Sequence, residues 1–326
     1  MGINEEMVLA RRDWIGASDV AVLLGVNLNR DGKPYKTVGD LYLEKTAQVP
    51  VEAIRDNDAM ALGRHNEPWL RTWTERKLGV EIEPDVFLEH PHLRLKVNLD
   101  GRIKVEREHW ECKCTGMLSH PHEVGQWGDS GTGDVPFSVA AQVQTQLMCM
   151  PDNIEFAHVT ALIGGHGIRQ YVVYRRPAIA EVIAQEIQRF WWDHVDKRIP
   201  PEEPATWEYL RLIEREQGKR VQVPVSLVAQ WQLAAVERLA AEKAEKEAKE
   251  LVASAMGDSE LGECGIGTVR WTTRKMPEIT LPARIDKFPI FQFSDPECRK
   301  RDGGEAKRAV LEGILTQGAE EDEPAV

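Results

Sequence analysis

Residues 85–114, DVFLEHPHLRLKVNLDGRIKVEREHWECKC, decide the fold. Within them DVFLEH, RLKVNLDG, RIKVE and HWECKC are short runs in which apolar and polar residues alternate, the period of a half-buried strand. Asp100-Gly101 reads as a tight turn between the second and third runs, because Asp-Gly tolerates the left-handed backbone that hairpins need. The stretch therefore predicts successive antiparallel strands. It also carries charge in a particular pattern: Asp100, then Glu111 and Lys113 on either side of Cys112. Side chains at i and i+2 of a strand share a face, so Glu111 and Lys113 project together. If the strands pair around the turn, Asp100 reaches the same corner.

Two carboxylates and an ammonium at one corner make little sense as core packing, but they suit phosphodiester hydrolysis. Asp100 and Glu111 offer oxygen donors to one or two Mg²⁺ ions, with Mn²⁺ as the alternative, and the backbone carbonyl of Cys112 can add another. Ions held there activate water and stabilise the attacking and leaving oxygens. Lys113 would position that water, help deprotonate it, or offset phosphate charge. The spacing by itself also fits a solvated strand face, so its neighbours matter.

Working outward, Asp56 to Leu78 predicts an amphipathic helix with Met60, Trp69, Leu70 and Trp73 on its apolar side, ended by Gly79. It contains Gly63-x3-Glu67. Upstream, Ser18 is placed to cap a short helix that stops near Gly25. Downstream, Thr115 to Pro136 is a long polar stretch, of the kind that is usually functional or mobile. Ser138 to Met150 reads as a helix containing Ala141-Gln142-Val143-Gln144. IEFAHVTALI and IRQYVVYRR read as two strands joined by a Gly-rich hairpin turn, since phosphate-binding glycine loops lead into helices instead. Ala178 to Lys197 predicts a helix burying Ile179, Ile183, Ile187, Phe190 and Trp191.

PPEEPAT at 200–206 marks a boundary. The expected division is an α/β domain over 1–206, a helical extension over 207–262, and a small β-segment with a partly disordered acidic tail over 263–326. In the extension Ser226 to Met256 is strongly helical; Glu242–Lys246 and Glu245–Lys249 are spaced for i,i+4 pairs and large apolar residues are missing from the middle, as expected of a solvated helix.

The 326 residues, 42% hydrophobic and 29% charged, are ordinary for a globular protein. No apolar run is long enough for a membrane span, and the N-terminus does not read as a secretory signal, so no membrane association is expected and the expected location is the cytoplasm. The net charge of -12 argues mildly against nucleic-acid binding, although acid is concentrated in the tail and a basic groove can coexist with an acidic exterior. Five cysteines are an odd number and no disulfide framework. Cys112, Cys114, Cys149, Cys264 and Cys298 lack cluster spacing, so no iron–sulfur centre is expected. Cys112, Cys114, His120 and His122 are a conceivable zinc set, but alternate strand positions explain the cysteine pair more simply.

Taken in order, R-x3-I-G-A-S-D from Arg11, G-x3-E from Gly63, N-L-D-G from Asn98, E-C-K from Glu111 and A-Q-V-Q from Ala141 resemble the successive motifs of the YqaJ viral recombinase family, the lambda-exonuclease group of PD-(D/E)xK nucleases. The resemblance runs from about Arg11 to Pro201. It implies a restriction-endonuclease-like fold, a mixed β-sheet flanked by helices with the site in a cleft. It further implies 5′-to-3′ degradation of one strand of linear duplex DNA, a 3′ overhang, a single-strand annealing protein as partner, and a ring-shaped homo-oligomer. Residue by residue, Glu67 matches a helical carboxylate that contacts metal; Asp100, Glu111 and Lys113 match the central motif; Gln142 matches the glutamine that completes the site; Arg11 and Ser18 match a 5′-phosphate pocket. Two positions depart from the pattern: Val139 stands where tyrosine is frequent, and Ser119 stands where the lambda-type enzyme offers an arginine, for which His120, His122 or Arg12 could substitute. The alternatives on the same fold are a non-processive endonuclease and a DNA-end-binding recombination mediator without turnover.

Overall fold

The computed structural model describes residues 9, 11–28, 32–50, 58–116, 125–264 and 267–271. The chain divides into two compact units, Met1–Arg215 and Glu216–Val326. The first is a mixed α/β unit built on one five-stranded sheet: β1 (Ile82–Glu89), β2 (Lys96–Ile103), β3 (His109–Thr115), β4 (Phe156–Ile163) and β5 (Gly167–Tyr174), neighbours in that order. The pairs β1–β2, β2–β3 and β4–β5 are antiparallel and β3–β4 is parallel, which makes the sheet mixed, as expected.

Asp100-Gly101 is not a turn. RLKVNLDG and RIKVE merge into the single strand β2, with Asp100 in its interior and the reversal at residues 104–108. The glycine is required for another reason. A Cβ at Gly101 would stand 2.4 Å from Ile82 Cγ2 and 3.0 Å from Trp110 Cε3, so the residue permits close approach rather than a turn.

Helices cover both faces of the sheet. On one side lie α1 (Ala17–Leu23), α4 (Phe137–Met148) and α5 (Pro177–Arg189), the last running into a π-helical turn, Phe190–Val195. Val143, Leu147, Ile183, Ile187, Phe190 and Trp191 pack here with Val97, Leu99, Val159 and Ala161 of the sheet. Ile179, expected on the buried side of α5, lies in its first turn and is 37% exposed. On the other side α3 (Asp58–Leu78) rests on a smaller cluster of Leu70, Ile82, Ile103 and Trp110, flanked by Cys112 and Cys114. Only Leu70 and Thr74 of this helix are buried, whereas Met60 and Trp69, expected in its apolar stripe, are exposed: a single line of contact suffices for so small a cluster. Gly79, at φ +73°, ends it as expected.

Two irregular segments complete the unit. Gly131 N–H donates to the Gln170 carbonyl at 2.7 Å and Val172 N–H to the Thr132 carbonyl at 2.9 Å, so part of the long polar stretch covers the free edge of β5. The proline-rich segment is docked on α2 (Val38–Lys45): Thr206 donates to Asp40 Oδ1 through both N–H (2.7 Å) and hydroxyl (3.0 Å), and Tyr209 OH donates to Glu44 at 2.6 Å. A Cβ at Gly39 would stand 2.3 Å from Ala205 N, so that glycine lets the segment lie against the helix. A short helix, α6 (Trp207–Leu210), follows before the first unit ends at Arg215.

The second unit contains α7 (Val225–Met256) and an antiparallel pair, β6 (Leu261–Cys264) with β7 (Gly267–Arg270). The middle of α7 is solvated, as its composition predicts. Glu245 pairs with Lys249 as expected, but Glu242 pairs with Arg238 and Lys246 with Glu250, in place of the expected Glu242–Lys246 pair. Among the described residues no helix is long and apolar enough to cross a membrane.

Candidate active site

The β2–β3 ladder is short. Gly101 pairs with Trp110 and Arg102 with His109, and beyond that the two strands part. At the next position Asp100 and Glu111 would face one another, and the gap is closed by a side chain: the Cys112 N–H donates to Asp100 Oδ2 at 2.8 Å. Because N–H and C=O of one residue project to the same edge of a strand, the Cys112 carbonyl faces this gap too.

Glu111 is fully buried beneath α4. Its Oε1 accepts from Lys113 Nζ at 2.5 Å and from Gln142 Nε2 at 2.7 Å, and its Oε2 accepts from Gln146 Nε2 at 2.7 Å. Lys113 Nζ also donates to Gln142 Oε1 at 2.9 Å. Gln142 and Gln146 are one helical turn apart and therefore share a face. Gln146 went unremarked in the sequence, although its i+4 spacing from Gln142 is visible there. His109, also buried, lies 3.0 Å from Gln146 Oε1 through Nε2 and 3.9 Å from Glu111 Oε2.

The electrostatics follow from this crowding. Burial, reinforced by Glu111, pushes the Asp100 carboxyl up to about 8. Burial would lower the Lys113 pKa, but Glu111 and then Asp100 outweigh it and raise it. Burial also lowers the His109 pKa, against the pull of Glu111.

Glu67 stands somewhat apart. It projects from α3, on the opposite face of the sheet, and its pKa is raised by burial, then by Asp85, and less by Glu111. Among the described residues no three His, Cys, Asp or Glu side chains form a ready-made metal cage. The structure thus joins Glu111, Lys113 and Gln142 by hydrogen bonds, ties Asp100 beside them to the Cys112 backbone, and brings Glu67 within reach of their charge. Asp85, which the sequence reading passed over, sits in β1 at φ +54°, a backbone state that aspartate tolerates better than most residues.

Asp100 and Gln142 line a cleft of about 580 Å³ together with Arg11, Ser18, Trp14, Phe87 and Lys96, while Glu111 and Lys113 adjoin it through their bonds to Gln142. Asp100 and Gln142 form the floor, and Arg11 and Ser18 stand at the mouth. Arg11 Nη2 donates to Ser18 Oγ at 3.4 Å. Ser18 does not cap α1. The cap is Gly16, whose N–H is taken by Asp19 Oδ2 at 3.1 Å, so Ser18 falls inside the first turn with its hydroxyl outward. Asp19 is buried; burial would raise its pKa, but Lys45, Lys36 and Arg11 outweigh that and hold it far below the usual carboxylate range. Arg12 is turned away and donates to the Val49 carbonyl at 3.0 Å, so it does not serve the pocket. Ser119, His120, His122 and Cys298 lie outside the described residues, and with them the zinc alternative. Cys112, Cys114, Cys149 and Cys264 are not joined in disulfides.

Comparison with known proteins finds relatives of this chain. Residues 6–152 match the YqaJ-like viral recombinase domain family. The uncharacterized protein YqaJ of Bacillus subtilis (strain 168) is 27% identical over 296 residues, covering 88% of each chain. Among solved structures, an alkaline exonuclease (LHK-Exo) from Laribacter hongkongensis is similar with a TM-score of 0.46 and 19% identity, over 60% of this chain and 94% of that one. A phage related exonuclease from Haemophilus somnus 129PT is similar with a TM-score of 0.37 and 10% identity, over 59% of this chain and 99% of that one. Every side chain assigned above to the floor and mouth of the cleft lies within residues 6–152, the part of the chain that is similar to the YqaJ-like viral recombinase domain.

Proposed function

We propose that this domain is a divalent-metal-dependent nuclease that hydrolyses linear duplex DNA from its ends, 5′ to 3′, leaving a 3′ single strand. The observation that carries the reading is the cluster of Glu111, Lys113 and Gln142 beside Asp100, with Asp100 and Gln142 lining a cleft that Arg11 and Ser18 also line.

The donor set fits a hard cation. Asp100 and Glu111 crowd two carboxylates at one point, and burial together with Glu111 raises the Asp100 pKa, a cost that a dication would relieve. Glu111 Oε1 already accepts two hydrogen bonds and Oε2 one, so Oε2 keeps a lone pair, while Asp100 engages Cys112 through Oδ2 alone among the described residues. Asp100 and Glu111 would hold Mg²⁺, or Mn²⁺, with help from the Cys112 carbonyl and Glu67. The ion, when bound, supplies Lewis acidity and an acidified water. Lys113 places a positive charge and N–H donors where phosphate charge develops. Gln142 and Gln146 clamp the two oxygens of Glu111 and fix its orientation. Arg11 and Ser18 would hold the terminal 5′-phosphate and so set the register of the next phosphodiester.

The reading extends to a cytoplasmic setting, a single-strand annealing protein taking up the exposed strand, and a ring-shaped homo-oligomer. These rest on the family resemblance.

The test is digestion of a linear duplex labelled separately at each 5′ and 3′ terminus, with and without Mg²⁺, beside a covalently closed circle. Mg²⁺-dependent release of the 5′ labels first, with the circle intact, is expected. Cutting of the circle would replace this reading with the endonuclease, and end binding without release would replace it with the mediator.

A further inference from the structure

The cleft mouth holds a cation that none of the motifs includes. Lys96 opens β2, and it lines the same cleft as Arg11, Ser18 and Asp100. Its position relative to Arg11 is fixed by backbone. Ile15 N–H donates to the Arg94 carbonyl at 2.8 Å and Lys96 N–H to the Ile15 carbonyl at 3.0 Å, so the chain just after Arg11 runs as a parallel bridge beside the start of β2. Above that bridge the Lys96 ammonium sits 4.2 Å over the ring of Trp14, a cation–π contact that holds it at the mouth.

Other cations near Arg11 are already committed. Arg12 reaches the Val49 carbonyl. Lys45 is buried on the carbonyls of Arg11 (2.8 Å) and Trp14 (2.7 Å) and on Asp19 (3.0 Å). Lys36 is held by Glu44 at 2.7 Å and Asp19 at 3.6 Å. Beyond its contact with Trp14, Lys96 pairs among the described residues with an exposed carboxylate, Glu89, at 2.9 Å, and surface pairs of this kind are weak and readily exchanged.

Lys96 is also too far from the floor to take part in bond cleavage. Four steps along the strand separate it from Asp100, about 13 Å between Cα atoms. It faces the end of the cleft that would grip DNA. A terminal phosphomonoester is a dianion, whereas an internal phosphodiester or a hydroxyl end offers less charge, so two cations lining one cleft would favour the phosphorylated end.

We propose that Lys96 is the second cation of the terminal-phosphate pocket and, with Arg11, determines its preference for phosphorylated over hydroxyl DNA ends, Glu89 opposing it. The proposal rests on the reading of the cleft as a DNA-end site. The test is equilibrium binding, by fluorescence anisotropy without divalent cation, of a labelled duplex carrying either 5′-phosphate or 5′-hydroxyl ends. Wild type, Lys96→Met, Lys96→Arg and Glu89→Gln are compared, and DNA hydrolysis is assayed separately with Mg²⁺. The wild type should favour the phosphorylated duplex by about tenfold. Lys96→Met should lose most of that ratio with binding of the hydroxyl duplex unchanged, Lys96→Arg should keep it, and Glu89→Gln should increase it. An unchanged ratio in Lys96→Met, or no preference in the wild type, overturns the proposal. Failure of the nuclease reading would show differently, as an intact ratio without release of nucleotides.

Discussion

The two ends of the cleft are built on different principles. At the floor the functional groups are themselves the ordered elements: Glu111 is buried, three side chains bind its two oxygens, and Asp100 is tied to the backbone of the next strand. At the mouth the functional groups are loose and the order lies one layer down. Arg11 is 49% exposed and only 3.4 Å from Ser18 Oγ, but the chain that carries it is clamped from below by the buried ammonium of Lys45. A hydrolytic centre has to hold its donors within a fraction of an ångström, whereas a pocket that admits and releases a DNA end benefits from side chains that adapt. On the proposed reading, rigidity is placed on the reacting groups at one end and on their support at the other.

Substitution at each end should separate these two designs. The largest effect is expected from Glu111→Gln, which removes the charge that Lys113 and any bound cation would share; hydrolysis should be abolished while duplex binding persists. A variant that still turns over at a wild-type rate would show that the floor is not the reactive end. Next comes Lys45→Met, beneath the mouth. It strips two carbonyls and a buried carboxylate of their cation, and the expected loss of unfolding free energy is about 3–5 kcal/mol, read from urea denaturation. A loss under about 1 kcal/mol, the worth of a surface ion pair, would mean that the mouth has no rigid support.

Smaller effects sharpen the contrast. Gln146→Ala leaves every proposed metal ligand in place but frees Glu111 Oε2, and second-layer losses of this type typically cost about 10- to 100-fold in activity or metal affinity. Rates within twofold of wild type would indicate that Lys113 and Gln142 orient Glu111 unaided. The least severe change is Arg11→Ala, an exposed side chain: stability and cleavage of 5′-hydroxyl duplex should hold, and only the advantage of phosphorylated ends, about tenfold, should vanish. If cleavage of both duplexes fell equally, Arg11 would belong to the floor's chemistry and not to end recognition.

The first compact unit runs to Arg215, and Thr206 and Tyr209 dock on α2. A proline-rich segment announces a boundary in sequence, but whether it is linker or packing depends on what lies opposite, here Asp40 and Glu44, 166 and 165 residues from their partners Thr206 and Tyr209. The same limit applies to Gly101. Asp-Gly is a turn signal only if nothing crowds the glycine, and the proximity of Ile82 and Trp110 is a tertiary fact.

By itself the sequence determined the alternating strands, the i,i+2 pairing of Glu111 with Lys113, the helix that presents Gln142, and the motif order from Arg11 to Gln144. These are periodic or local features, set by backbone geometry that repeats every two or 3.6 residues. Only the tertiary structure decided that β2 runs unbroken through Asp100, that Gln146 completes the clamp on Glu111, that Arg12 turns away while Lys96 faces the cleft, and that Gly16 rather than Ser18 caps α1. Each of those depends on which distant group stands across a gap of a few ångströms, and a one-dimensional pattern carries no such distance.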